Sequence, residues 1–80
     1  MQEMDKKKLQ YLGKRIKDLR LSKELKLETL AYRVGISPST IFRIESGTSE
    51  PKYLTLLKIA DAFKMPISEL LCIDDKDFSK

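Results

Sequence analysis

Two pairs of residues in the middle of the chain have the spacing and the chemistry of a recognition surface. Arg43 follows Ser39 by four residues, and Phe42 follows Pro38 by the same interval. Side chains four apart on a helix are neighbours, so these four would form one outward patch. A guanidinium can bond N7 and O6 of guanine together, hydroxyls bond base edges or phosphates, and apolar groups suit a thymine methyl. The patch is therefore suited to contact with DNA bases.

The candidate base-reading residues are Pro38, Ser39, Thr40, Phe42 and Arg43. Arg43 is the strongest of them, because the bidentate arginine–guanine contact is the commonest specific one. Two of the others have a structural alternative. Thr40 could instead serve the start of the helix, and Phe42 could cover an edge of the core.

A short helix and a tight turn precede this patch. Apolar residues at Leu27, Leu30, Ala31 and Val34 follow the spacing of a helix with one buried face. Gly35 comes next, and glycine can adopt the positive φ that ends a helix and turns the chain.

A second helix is predicted directly after the turn. Ser37 can cap its first turn, and Pro38 is favoured at the first helical position. Ile41 and Ile44 would be buried opposite the outward patch, and Gly47 would end the helix. Two short helices around a glycine turn, the second with a polar and arginine-bearing face, indicate a DNA-binding helix-turn-helix.

The rest of the chain also reads as helix. Leu9, Leu12, Ile16 and Leu19 repeat with helical spacing, a fourth helix is predicted from about Tyr53 to Lys64, and Pro66 opens a short fifth. No segment shows strand-like alternation, so we predict an all-α domain of five helices. The predicted divisions are a frayed basic segment over 1–8, the DNA-binding domain over 9–72 and a short acidic tail over 73–80.

Charge and composition narrow the function. Of the 80 residues, the first 26 hold nine basic and four acidic side chains, a net +5, while residues 53–80 are mildly acidic. A polyanion should therefore meet the N-terminal half, although the run of lysines at 6–8 could merely solvate an exposed helix. The chain has no histidine and one cysteine, so we expect no enzyme, no metal site and no cofactor. No stretch resembles a membrane span or signal peptide, and we expect a cytoplasmic, nucleoid-associated protein.

The whole pattern resembles the Cro/repressor-type (XRE-family) helix-turn-helix proteins, over roughly residues 9 to 72. Small phage repressors and restriction–modification controller proteins are the members it resembles. The matching segments are Leu12 to Lys17, Leu19-Arg20, Leu30-Ala31, Val34 to Ser37, Ser39 to Ile41, Arg43 to Glu45, Gly47, Pro51, Leu56, Ile59-Ala60, Phe63 and Leu70-Leu71.

The resemblance implies roles for further residues. It implies an ion pair between Arg20 and Glu45 that ties the first helix to the end of the recognition helix. It also implies phosphate contacts from the start of the second helix and from the residues that flank the third. The candidates are Lys26, Leu27, Ser37, Ser46, Thr48, Ser49 and Lys52.

The sequence departs from the family pattern near these phosphate contacts. Lys26 and Leu27 stand where members often have serine or threonine and glutamine. Lys26 can still neutralise a phosphate, whereas Leu27 cannot make the glutamine's hydrogen bond. Glu50 would oppose binding unless it points away from the DNA.

Surplus apolar residues in the C-terminal half predict a partner surface. They are Leu54, Leu57, Ile67, Leu70, Ile73 and Phe78. We expect a homodimer on a palindromic operator, because one recognition helix reads too few base pairs to define a site. Ordinary core and tail packing is one alternative, and an antitoxin-like module that covers a protein partner, with secondary DNA binding, is another. No small-molecule effector is expected.

Overall fold

The computed structural model describes the backbone of residues 3–72 and the side chains of residues 5–72. This part of the chain contains five α-helices and no strand, so the prediction of an all-α, five-helix fold is confirmed. None of these helices has the length and apolar character needed to cross a bilayer. The helices are α1 (Glu3–Ser22), α2 (Leu27–Val34), α3 (Pro38–Ser46), α4 (Tyr53–Ala62) and α5 (Ile67–Leu70).

All five helices contribute to a single apolar core. Its largest fully buried side chains are Phe63, Ile16, Leu30, Ile41, Ile59 and Leu70. α3 packs against both α1 and α2, while α4 packs against α2 and α5. The helix that carries the outward patch is therefore held from two sides.

The first helix begins earlier than the apolar pattern indicated. The prediction placed its start at Leu9 and treated residues 1–8 as frayed, but α1 is continuous from Glu3. The added residues are mostly Glu, Met and Lys, which are good helix formers. Once a helix is nucleated, extending it needs no second nucleation step, so the exposed residues 5–8 can continue α1 without core contacts.

α1 and α3 cross with their backbones almost in contact. A Cβ atom at Gly13 would collide with the carbonyl oxygens of Ile44 and Glu45. A Cβ atom at Gly47 would lie 2.7 Å from the Cα of Gln10. Glycine at both positions is what lets the end of α3 rest directly on α1.

The last helix is held by a side chain from the first. Arg15 Nε donates to the carbonyl oxygen of Leu70 at 3.2 Å, and Arg15 Nη2 donates to that of Glu69 at 2.7 Å. The Leu70 carbonyl lies at the end of α5, where no further helical turn can satisfy it, whereas the Glu69 carbonyl also accepts from the N–H of Cys72 at 3.2 Å. Arg15 therefore completes the hydrogen bonding of α5.

Candidate nucleic-acid interface

The two faces of α3 differ as the sequence predicted. Ile41 is fully buried and Ile44 nearly so, on the side that meets α1 and α2. Pro38, Ser39 and Arg43 are exposed, Phe42 is 62 % exposed, and Thr40 is half-buried. The five candidate base-reading residues thus lie together, with an uncovered polar and aromatic side.

The start of α3 is capped by its own residues. Ser37 Oγ accepts a hydrogen bond from the backbone N–H of Thr40 at 3.2 Å. The same oxygen lies 2.8 Å from Thr40 Oγ1 and 3.2 Å from Ser39 Oγ. The cap fixes the direction in which the chain enters the helix. Thr40 takes part in it, so the alternative role considered for this residue is present in the structure.

The end of α3 is closed by a second group of hydroxyls, around the carbonyl oxygen of Arg43. That oxygen accepts from Ser46 Oγ at 3.1 Å, from Thr48 Oγ1 at 3.2 Å and from the N–H of Thr48 at 3.0 Å. Ser46 and Thr48 must therefore turn their hydroxyls away from the helix before they can donate to a phosphate. Their position on either side of Gly47, which has a φ of 78°, is the feature of the sequence that indicates this capping role.

A buried ion pair ties α1 to α3. Arg20 Nε donates to Glu45 Oε2 at 2.7 Å, and Arg20 Nη2 donates to Glu45 Oε1 at 3.1 Å. A third bond runs from Arg20 Nη1 to the carbonyl of Leu25 at 2.9 Å. The bond to Glu45 raises the pKa of Arg20 above its ordinary value, although burial opposes that shift. The fork-to-fork geometry fixes the orientation of α3.

The start of α2, in contrast, has no cap. Lys26 precedes the helix in an extended conformation, and its side chain accepts no bond from the helix. The first helical N–H with a backbone acceptor is that of Leu30, which bonds the carbonyl of Lys26 at 3.1 Å. The preceding N–H groups, including that of Leu27, have no such acceptor, and the helix dipole favours an anion at such a start. The side chain of Leu27 packs against the core.

The loop from 47 to 52 follows α3 and turns back along α1. Ser49 is half-buried and Lys52 is exposed at the start of α4. Glu50 lines a groove with Asp5, Lys8, Leu9 and Leu12 of α1. Glu50 therefore shares a groove with one lysine and one aspartate.

The predicted partner surface is only partly present. Leu54 is 60 % exposed, and Leu57 and Ile67 are half-buried. The prediction for Leu70 is wrong, because this side chain is fully buried in the core. Ile73 and Phe78 lie outside the described residues.

Two further exposed apolar residues in the C-terminal half were not predicted. Tyr53 is 64 % exposed and Leu71 is 38 % exposed. Tyr53 begins α4 next to Leu54, and Leu71 follows the end of α5. Tyr53 stands in the first turn of α4, where a side chain can extend past the element that the helix packs on.

Comparison with known proteins supports the assignment of the fold. The HTH_3 helix-turn-helix family model matches residues 16–70. The cryptic phage CTXphi transcriptional repressor RstR of Vibrio cholerae is 37 % identical over 71 residues, which cover 82 % of this chain and 64 % of RstR. This chain thus spans less than two thirds of the length of that relative, and about half of two Bacillus subtilis regulators that it also matches.

Two solved structures show the same arrangement of helices. The restriction–modification controller protein C.AhdI of Aeromonas hydrophila superposes with a TM-score of 0.76 at 34 % identity, covering 78 % of this chain and 94 % of C.AhdI. An HTH_3 family transcriptional regulator from Vibrio cholerae superposes with a TM-score of 0.80 at 30 % identity, covering 90 % of this chain and 40 % of that one.

These relatives are named as transcriptional regulators and repressors, and the prediction that the chain is not an enzyme is confirmed. The resemblance to Cro/repressor-type proteins is confirmed as well. The chain belongs to the HTH_3 (XRE) family of helix-turn-helix proteins.

Proposed function

We propose that this chain is a sequence-specific transcriptional regulator that binds a palindromic operator in double-stranded DNA as a homodimer. The observation that carries the proposal is the division of α3 into a buried isoleucine face and an exposed face with Ser39, Phe42 and Arg43. The Arg43 guanidinium bonds no other residue among those the structure describes. A helix with such a free face suits the major groove, which admits one α-helix.

Specific readout would come from this exposed face. Arg43 is the residue we assign to guanine, because its planar fork matches N7 and O6. Ser39 and Thr40 would bond base edges, and Pro38 and Phe42 would contact thymine methyl groups. Since Arg20 and Glu45 fix α3 from behind, these side chains would reach the groove in one orientation.

Phosphate contacts would hold the domain on the duplex at two places. At the first, the uncapped N–H groups of α2, including that of Leu27, would meet a phosphate that Lys26 also neutralises. At the second, the segments that flank α3 would bind the adjacent backbone. The residues we assign there are Ser37, Ser46, Thr48, Ser49 and Lys52.

The dimer would use the apolar residues of α4 and the chain after it. Leu54, Leu57 and Ile67 from the sequence prediction, with Tyr53 and Leu71 from the structure, offer an exposed or half-exposed apolar surface. A two-fold axis through this surface would place two α3 helices on successive major grooves, about 34 Å apart. A protein acting on the chromosome in this way would reside with the nucleoid in the cytoplasm.

A binding selection on random duplexes tests the reading face. We expect a palindromic motif, and we expect Arg43→Ala to weaken binding by about 1–3 kcal/mol and to relax preference at one base pair per half-site. Arg33→Ala is the matched control, because Arg33 is an exposed arginine in the last turn of α2. An unchanged motif with Arg43→Ala would show that another surface reads the bases.

Sedimentation equilibrium tests the dimer. Leu54→Lys should shift the protein from dimer to monomer, because it places a charge in the apolar surface. Leu21→Lys is the control, since Leu21 is 54 % exposed on α1, outside that surface. Monomeric wild-type protein at tens of micromolar would exclude the homodimer. A second, different chain bound stoichiometrically to the same face would support the antitoxin-like alternative instead.

A further inference from the structure

We propose that Lys6 and Lys7 of α1 bind the DNA backbone outside the half-site that α3 reads, so that each protomer contacts flanking duplex. The inference rests on the proposed function, because it takes the position of α3 in the major groove as given. It adds a surface that neither the base-reading patch nor the phosphate candidates from the family resemblance include.

The first step is the place of these lysines relative to α3. Gly47, at the end of α3, rests against the backbone of Gln10. Lys6 and Lys7 precede Gln10 by four and three residues, so they lie on the same face of α1, about one turn beyond the crossing. They therefore adjoin the chain that leaves α3 with Thr48 and Ser49, two of the phosphate candidates.

The second step concerns charge. Lys8 lies on a neighbouring face of α1, in the groove that also holds Asp5 and Glu50, so its charge has acidic neighbours. Lys6 and Lys7 are exposed, and no ion pair joins either of them to another described side chain. They form a positive surface that continues from the loop after α3 and has no counterpart within the described part of the domain.

The third step concerns what these lysines contribute to the domain itself. Both lysines are exposed, so they add nothing to the core. They lie near the start of α1, where the helix dipole disfavours positive charge. They also precede the segment that matches the family model, which begins at residue 16. A polyanion bound at this end of α1 accounts for two positive charges that the helix dipole disfavours, and the flanking duplex is the polyanion within reach.

The test compares two duplexes: the selected operator alone, and the same operator with added flanking base pairs. We expect wild-type protein to bind the longer duplex more tightly. On the longer duplex, Lys6→Gln or Lys7→Gln should each weaken binding roughly fivefold at about 0.15 M salt and reduce the salt slope by about one. On the short duplex both variants should bind as wild type does.

Lys64→Gln is the matched control, because it removes one exposed positive charge at the end of α4. It should change binding to neither duplex, and all three variants should melt no lower than wild type. Equal affinity of wild type for both duplexes, or an equal loss on both with the lysine variants, would overturn this inference alone. Failure of wild type to bind any selected duplex would overturn the proposed function and this inference with it.

Discussion

The two helices of the helix-turn-helix are fastened differently. α3 is closed at both ends: Ser37 caps its start, hydroxyls bond the Arg43 carbonyl near its end, and Gly47 rests on α1. α2 is open at its start and is closed at its end by backbone bonds alone. Lys26 provides no cap, whereas the N–H of Gly35, which has a φ of 84°, bonds the carbonyl of Ala31 at 2.8 Å. No atom lies within 4 Å of where a Cβ of residue 35 would stand, so this end of α2 does not rest on another helix.

This difference fits the two kinds of contact with DNA that we propose for these helices. A helix that reads bases needs a fixed orientation, because hydrogen bonds to base edges tolerate little displacement. A helix start that binds a phosphate needs free N–H groups, and a side-chain cap would occupy them. We infer that the closed ends of α3 fix its orientation, whereas the missing cap of α2 leaves its N–H groups free to bind a phosphate.

The largest expected effect comes from breaking the ion pair behind α3. Glu45→Gln leaves Arg20 buried without its counter-charge, so the free energy of unfolding should fall by about 3–5 kcal/mol. Urea denaturation measures this. Lys14→Met, which breaks the exposed Lys14–Asp18 pair, should cost less than about 1 kcal/mol. Similar losses in the two variants would show that the buried pair does not hold α3 in place.

The two glycines that end the helices give a matched comparison. Gly47→Ala should destabilise the protein by about 3 kcal/mol, because it combines an unfavourable positive φ with overlap on the backbone of Gln10. Gly35→Ala meets only the conformational penalty, about 1–2 kcal/mol. Thermal melts of the two variants measure this difference in stability. Equal losses would contradict the claim that α3 alone is packed at its end.

The smallest expected effects concern the caps and have opposite signs. Ser37→Ala removes the cap of α3 and should lower the free energy of unfolding by about 1 kcal/mol. Lys26→Asn gives α2 a capping side chain and should raise stability by about 0.5–1 kcal/mol. The same change should weaken DNA binding, because it occupies an N–H group and removes a positive charge. Tighter binding with Lys26→Asn would refute the proposed phosphate site.

The helix-turn-helix could be predicted from the sequence because its signals are local. Ser37, Pro38, Gly35 and Gly47 mark the helix ends, and the apolar spacing gives the buried faces. The burial of Leu70 could not be predicted in the same way. Its burial depends on how α5 is placed, and α5 is held by Arg15, 55 residues earlier in the chain. Spacing within a short segment carries no information about such a contact.

The ends of the site were also harder to predict than its middle. Ser46 and Thr48 carry hydroxyls of the kind that bind phosphates, yet in the structure both hydroxyls donate to the carbonyl of Arg43. The start of α1 was missed because the extension has no apolar repeat, and only the helix propensity of its residues could have indicated it.

The hold of Arg15 on α5 has a consequence for the dynamics of the domain. A helix of four residues has no stability of its own, so α5 persists only while α1 supplies these two hydrogen bonds and the core receives Leu70. We expect its amide protons to exchange with solvent whenever this junction opens, well before the α2–α3 hairpin does. α1 and α5 thus form one cooperative unit, and a substitution that destabilises either helix should also destabilise the other.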